Sequence, residues 1–268
     1  MKRISIFSIY MLFFIGQIAA QSTEIAPSPP VAIQEEKPFS VGASLGYSFI
    51  GYRDETDLPL NRYLNTLYVN LEGKIDKENF IYTSAFCFYT GKNDSIEISS
   101  NEDFFVYYQK KSDFIRINLD KALDFRLWGS SEFPGYLGPE FRGTLYFTHL
   151  PQTIYYGITV LASLNAHVTQ KWIIDEKTEL IFTAAIPVFG YAVRPPYYGL
   201  LYSPLDMENK ITSLHNYQAI FCGFRYNYKI NNIFYLSTGC GFELSHISFP
   251  QSRKDALIRV NAGFAFYF

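Results

Sequence analysis

From Phe39 onward the sequence alternates apolar and small polar residues with a period of two, in one segment after another. In "FSVGASLGYSFIG", Phe39, Val41, Ala43, Leu45, Tyr47 and Phe49 fall on one face, and Ser40, Gly42, Ser44, Gly46 and Ser48 on the other. In "IYYGITVLASLNAHV" the even positions Ile154 to Val168 are apolar, whereas Thr159, Ser163, Asn165 and His167 lie opposite. Side chains along a strand point alternately to opposite sides, so each segment reads as a strand with one oily and one polar face. A water-soluble sandwich also alternates, but its solvent face tends to carry Lys and Glu. Ser, Gly, Asn, Thr and Tyr opposite a continuous apolar face fit an all-β fold of another kind, a transmembrane antiparallel β-barrel. There lipid covers the outside and no strand edge is left unpaired. A secreted β-sandwich is the alternative.

The composition supplies enough material for such a lipid face: 48% of the 268 residues are apolar, with Phe 25 and Tyr 22 against Trp 2. The formal net charge is -2 and no basic stripe is present, which argues against a nucleic-acid partner. At the N-terminus, "MKRISIFSIYMLFFIGQIAA" places Lys2 and Arg3 before an apolar run ending in Ala19 and Ala20. That is the layout of a secretory signal peptide, 1–20, cleaved after Ala20, with an uncleaved anchor as the alternative. Loss of Lys2 and Arg3 takes the formal charge from -2 to -4. Residues 21–37, with Pro27, Pro29 and Pro30 among polar residues and no period, read as an extended periplasmic tether. The barrel is expected over 38–268. The longest remaining apolar stretch, Leu180 to Val193, contains Pro187 and is too short for a spanning helix.

About twelve strands are expected, with ten as the alternative: 38–51, 62–74, 80–91, 103–110, 113–120, 121–129, 140–149, 154–173, 178–192, 214–228, 233–247 and 256–268. The region 113–140 alternates least clearly. The connections "KIDKEN", "KKSD", "DEKT" and "KINN" are short and charged, whereas "GKNDSIEISSNED" and "RPPYYGLLYSPLDMENKITSLH" are long. Such barrels carry short periplasmic turns and longer extracellular loops, which puts the C-terminus in the periplasm.

The chain ends on "RVNAGFAFYF", with Phe264, Phe266 and Phe268 at alternate positions. Signal peptide, alternating strands and terminal aromatic stripe together resemble bacterial outer-membrane β-barrel proteins. The resemblance is one of class, spans 38–268 and identifies no subfamily. It implies that the three phenylalanines are the signal read by the barrel-assembly machinery. It also implies residence in the outer membrane of a double-membraned bacterium, with outer-membrane lipid as the surrounding partner; the oligomeric state stays open.

The polar face carries Arg116, Arg126, Arg142, Arg225 and Arg259, with Asp120, Asp124, Glu179 and Glu243 as candidate counter-charges. Hairpin pairing sets Glu243 opposite Arg259 in the lumen, where charges must be matched. Two readings stay open: a narrow, porin-like pore with an anion-favouring lining, or a filled interior held by ion pairs. A three-residue turn at Ile230 to Asn232 would set Cys222 opposite Cys240, either bridged or as two small apolar neighbours.

One motif invites an enzymatic reading. His246 and Ser248 in "SHISFPQS" resemble the His-x-Ser core of lipid A deacylases and outer-membrane phospholipases, in which His activates Ser for attack on a lipid ester. Those families follow Ser with Asn, where this chain has Phe249. The facing strand offers Ala256, Ile258 and Val260 in place of a group to orient the His, and alternation turns Asp255 to the other face. His149, His167 and His215 show no ligand spacing, so neither metal nor cofactor is implied. Passive transport or a structural and surface role is the leading expectation. A lipid-modifying hydrolase and a binding role through the 194–214 loop are the alternatives.

Overall fold

The computed structural model describes residues 38–54, 58–93, 112–149, 156–194, 208–213, 216–249 and 252–268. The signal peptide, the tether and the expected strand at 103–110 lie outside them. The described residues form antiparallel strands β1 (Phe39–Asp54), β2 (Leu58–Asp76), β3 (Phe80–Asn93), β4 (Ser112–Trp128), β5 (Gly135–His149), β6 (Tyr156–Ile173), β7 (Thr178–Arg194), β8 (Glu208–Ser213), β9 (Tyr217–Lys229), β10 (Phe234–Ile247) and β11 (Arg253–Tyr267). β1 through β7 pair in sequence, β7 passes to β9, then β10 and β11 follow, and β11 returns to β1. The result is a closed barrel of ten strands, in which each strand of the ring has a neighbour on both sides. β8 is an eleventh strand outside the ring, paired with the Phe189–Arg194 part of β7.

Ten strands, not twelve, is therefore the count for the ring. One of the two differences comes from β4, where 113–120 and 121–129 are a single strand of 17 residues. Its alternation never breaks: Phe114, Arg116, Asn118, Ala122 and Asp124 are buried inside, and Ile117, Leu119, Leu123 and Phe125 take the other parity. What looks like a polar turn at Asp120 and Lys121 is one lumen carboxylate beside one outward lysine. Of "KKSD", Ser112 and Asp113 already belong to β4, and Lys110 and Lys111 lie outside the described residues.

The alternation also survives an irregularity in β7. Leu164 pairs with Phe189 and Asn165 with Pro187, so Val188 is an extra residue, a β-bulge beside a proline that has no N–H to give the ladder. The lumen parity changes there, from Ala185 and Pro187 to Gly190, Ala192 and Arg194.

One end of the barrel carries the tight connections, Asp76 to Phe80, Trp128 to Gly135, Ile173 to Thr178 and Lys229 to Phe234. Gly129, at φ 89°, makes the second of these, because a Cβ there would lie 1.9 Å from the Phe133 carbonyl oxygen. The other end is where the long stretches 94–111 and 195–207, outside the described residues, leave the strands. Between the ends the outer surface is apolar, with Leu45 68% and Leu67 65% exposed. Phe264, Phe266 and Phe268 lie on this outer face, in ring contact with Phe234 and Phe39 near the tight-turn end.

Candidate functional site

A ten-stranded barrel leaves little room beyond what large side chains fill, and here they are arginines and tyrosines. In the long-loop half, Ile50, Leu64, Tyr89, Phe114, Tyr146 and Leu257 are all buried inside the barrel. A second cluster, Leu161, Ala192, Tyr217, Phe221 and Ile247, fills the β6, β7, β9 and β10 side.

Through the first cluster runs a column of alternating guanidinium groups and phenol rings. Arg253 lies 4.2 Å from the Tyr146 ring centroid, Arg116 lies 5.0 Å from Tyr146 and 5.6 Å from Tyr89, and Arg259 donates to Tyr89 Oη at 2.7 Å. Stacking of this kind suits Arg, whose planar and weakly hydrated charge tolerates burial better than an ammonium. Glycines make the space. A Cβ at Gly46 would fall 2.3 Å from the Tyr68 ring, which stacks on Tyr89, and one at Gly241 would fall 2.5 Å from Arg259 Nε.

Among the described residues, three ion pairs of Arg or Lys cross the lumen between strands that are not neighbours. Arg116 Nη2 on β4 donates to both oxygens of Glu243 on β10 at 2.7 Å, and neither residue is more than 6% exposed. Arg225 on β9 grips Glu72 on β2 with both terminal nitrogens, at 2.6 and 2.5 Å. Nearest the tight turns, Asp76 on β2 accepts from Lys171 on β6 at 2.5 Å and from Lys74 at 2.6 Å, with Glu179 3.8 Å from Lys171. The first and third act as ceiling and floor. Between them lies a polar chamber of about 160 Å³, bordered by Glu72, Asp120, Glu140, Arg142, Arg225 and Arg259.

The wall formed by β4, β5 and β6 is acidic and densely bonded. Arg142 bonds Asp120 and Glu140, each at 2.9 Å, and packs 3.8 Å over the Phe221 ring. His167 Nδ1 meets Asp124 at 2.7 Å, Thr169 donates to the same oxygen at 2.8 Å, and His167 Nε2 lies 3.6 Å from Glu140. Glu140 accepts a further bond from Asn165 at 3.1 Å.

All five anticipated arginines face the lumen, and Asp120 does serve as a partner of Arg142, its direct neighbour in register. Arg126 sits at the tight-turn rim, with Glu78 at 3.4 Å and the Gly129 carbonyl at 3.2 Å. The expected Glu243 and Arg259 ladder pair is displaced. Glu243 is opposite Leu257 and Arg259 opposite Gly241, because β11 already begins at Arg253, which Asp255 holds inside at 3.0 Å. Cys222 and Cys240 do not face each other either: Cys240 is opposite Phe224, Cys222 is opposite Phe242, and all three cysteines are free. Five residues, 230–234, lie between the paired Lys229 and Tyr235 instead of three, and Asn231 Oδ1 accepts from the backbone N–H groups of Ile233 and Phe234 to round the turn off.

His246 and Ser248 do not form a dyad. His246 Nε2 is 3.2 Å from Ser252 Oγ, while the Ser248 hydroxyl donates to the Asn216 carbonyl at 3.3 Å. Asp255 points inward, as alternation requires, to Arg253 and Ser245. His167 is a lumen residue, and His215 and the side chain of His149 lie outside the described residues. Of the 194–214 loop, only Arg194 and β8 are described.

Sequence reading missed Glu72, Lys74, Asp76, Glu140, Lys171 and Tyr89 as lumen partners. Parity alone marks them, since Glu72, Lys74 and Asp76 share the inward parity of Tyr68 on β2. No family profile matches the chain, and no curated protein matches it. Among solved structures, the outer membrane protease OmpT from Escherichia coli superposes with a TM-score of 0.54 at 8% identity, over 86% of this chain and 96% of that one. The translocator domain of the autotransporter NalP from Neisseria meningitidis gives a TM-score of 0.41 at 9% identity, over 97% of both chains. Neisserial surface protein A gives 0.39 at 9% identity, over 86% and 97%. The fold is that of the bacterial outer-membrane β-barrels.

Proposed function

We propose that the protein is an outer-membrane β-barrel with a structural and surface role, its lumen sealed against free diffusion. The observation that carries this reading is the Arg116–Glu243 bridge, set across the lumen among residues that are almost wholly buried. A conducting pore needs a continuous wet path, whereas here a matched charge pair and stacked tyrosines occupy the cross-section. In this reading the tight turns and the C-terminus lie in the periplasm and the long loops face outward. Phe264, Phe266 and Phe268 serve as the assembly signal, outer-membrane lipid covers the apolar belt, and 1–20 is removed on export. Passive transport is the competing role.

Liposome swelling tests the choice. Vesicles holding the refolded barrel and placed in iso-osmotic arabinose are expected to keep their volume. Swelling at a rate above protein-free vesicles would overturn the sealed lumen in favour of transport.

A further inference from the structure

The chamber between ceiling and floor is not electrically uniform. On the β4, β5 and β6 wall three carboxylates, Asp120, Asp124 and Glu140, share one guanidinium, Arg142, and one imidazole, His167. At least one negative charge there lacks a full counter-charge even with the imidazole protonated. On the opposite wall Arg225 is matched by Glu72, but Arg259 has a phenol, Tyr89, as its hydrogen-bond partner and no carboxylate in ion-pair contact among the described residues. The nearby Glu243 is engaged by Arg116, which donates to both its oxygens. Asp120, Glu140 and Arg259 all border the same cavity of about 160 Å³. Arg259 is seated over Gly241 and bonded to Tyr89, short of ion-pair contact with Asp120 or Glu140.

Charges of opposite sign on facing walls of a low-dielectric cavity, each short of a contacting counter-charge, favour a solute that carries both signs. The size is that of a small molecule: a cavity of roughly 150 Å³ accepts a ligand such as benzene, with about six heavy atoms. We propose that the chamber is a binding site for a small zwitterion of α-amino-acid type, its carboxylate on Arg259 and its ammonium on Asp120 and Glu140. A guanidinium presents paired N–H donors that match a carboxylate, and a primary ammonium distributes three donors over two carboxylates. Entry is from the tight-turn end and parts the floor, where the Asp76 side chain is 22% exposed, against 1% and 8% for Arg116 and Glu243 in the ceiling. The inference concerns occupancy and not flux, so it stands or falls apart from the sealed-lumen reading.

Titration calorimetry on the folded barrel in detergent, with alanine, acetate and methylammonium as probes, tests it. Alanine is expected to bind saturably, at least tenfold more tightly than either single-charge probe. Arg259→Gln and Glu140→Gln are each expected to weaken alanine binding at least tenfold, with Arg259→Gln acting on acetate but not on methylammonium. Heat-modifiable migration confirms that each variant is folded, and Asp120→Asn replaces Glu140→Gln should the latter not fold. Absence of saturable alanine binding, alanine binding no tighter than acetate, or binding unchanged by both substitutions would overturn the proposal.

Discussion

Arg116 and Glu243 stand 127 positions apart in the chain, yet one guanidinium nitrogen reaches both oxygens of the carboxylate at 2.7 Å across the barrel. Neither strand neighbours the other, so the contact ties opposite walls together. Removing one partner leaves a buried charge unmatched, which costs about 3–5 kcal/mol, whereas replacing both with apolar side chains of similar volume is often close to neutral. Arg116→Met and Glu243→Leu are thus expected to destabilise strongly alone and much less together. Urea unfolding of the lipid-embedded barrel checks this through the double-mutant cycle, and additive losses would show that the pair is not coupled.

The glycines that seat the column are expected to be intolerant of bulk. A Cβ at Gly46 would approach both the Tyr68 ring, at 2.3 Å, and the Val260 carbonyl oxygen, at 2.4 Å, and the second is backbone that cannot swing aside. Gly46→Val is expected to cost about 1–3 kcal/mol or more through overpacking. Gly73, where a Cβ would meet nothing within 4 Å, is the matched control, and Gly73→Ala is expected to leave the urea midpoint close to wild type.

Phe268 closes the ring where the chain ends: its N–H donates to the Phe39 carbonyl at 2.8 Å and the two rings lie 6.1 Å apart. Replacing Phe268 with Asp is expected to leave export intact while unassembled protein accumulates in the periplasm and is degraded. Fractionation with heat-modifiability gels reads this outcome. Normal amounts of folded barrel in the outer membrane would show that the terminal stripe is not an assembly signal.

A lipid esterase centred on Ser248 lacks its geometry, because the hydroxyl is engaged by Asn216 and not by His246. A nucleophilic serine needs a base within reach and donors at the developing oxyanion. Incubating the folded barrel with phospholipid or lipopolysaccharide, with and without calcium, is expected to release no fatty acid. Release that disappears in Ser248→Ala would establish the enzyme.

Alternation made the barrel legible: the inward and outward sets of β1, β6 and β11 fall as their sequences predict, because a strand has only two faces. Strand number was harder. At β4, Asp120 beside Lys121 imitates a turn in sequence, yet one is paired with Arg142 inside and the other faces outward. Hairpin register was harder still, since the Asn231 turn and the early start of β11 at Arg253 each move the ladder by two residues. The partners of Arg116 and Arg225 were not legible at all. They sit across the lumen, and no spacing along the chain encodes a contact between β4 and β10 or between β9 and β2. The inward parity of the charged residues was readable, and their pairing came only with closure.

The sealed lumen is tested most directly by electrical recording across a planar bilayer holding the folded barrel. The wild type is expected to show no stepwise conductance above the bare bilayer. A variant lacking both ceiling charges and one ring of the column, Arg116→Ala with Glu243→Ala and Tyr146→Ala, is expected to open steps where the wild type has none. Regular conductance steps in the wild type would contradict the account.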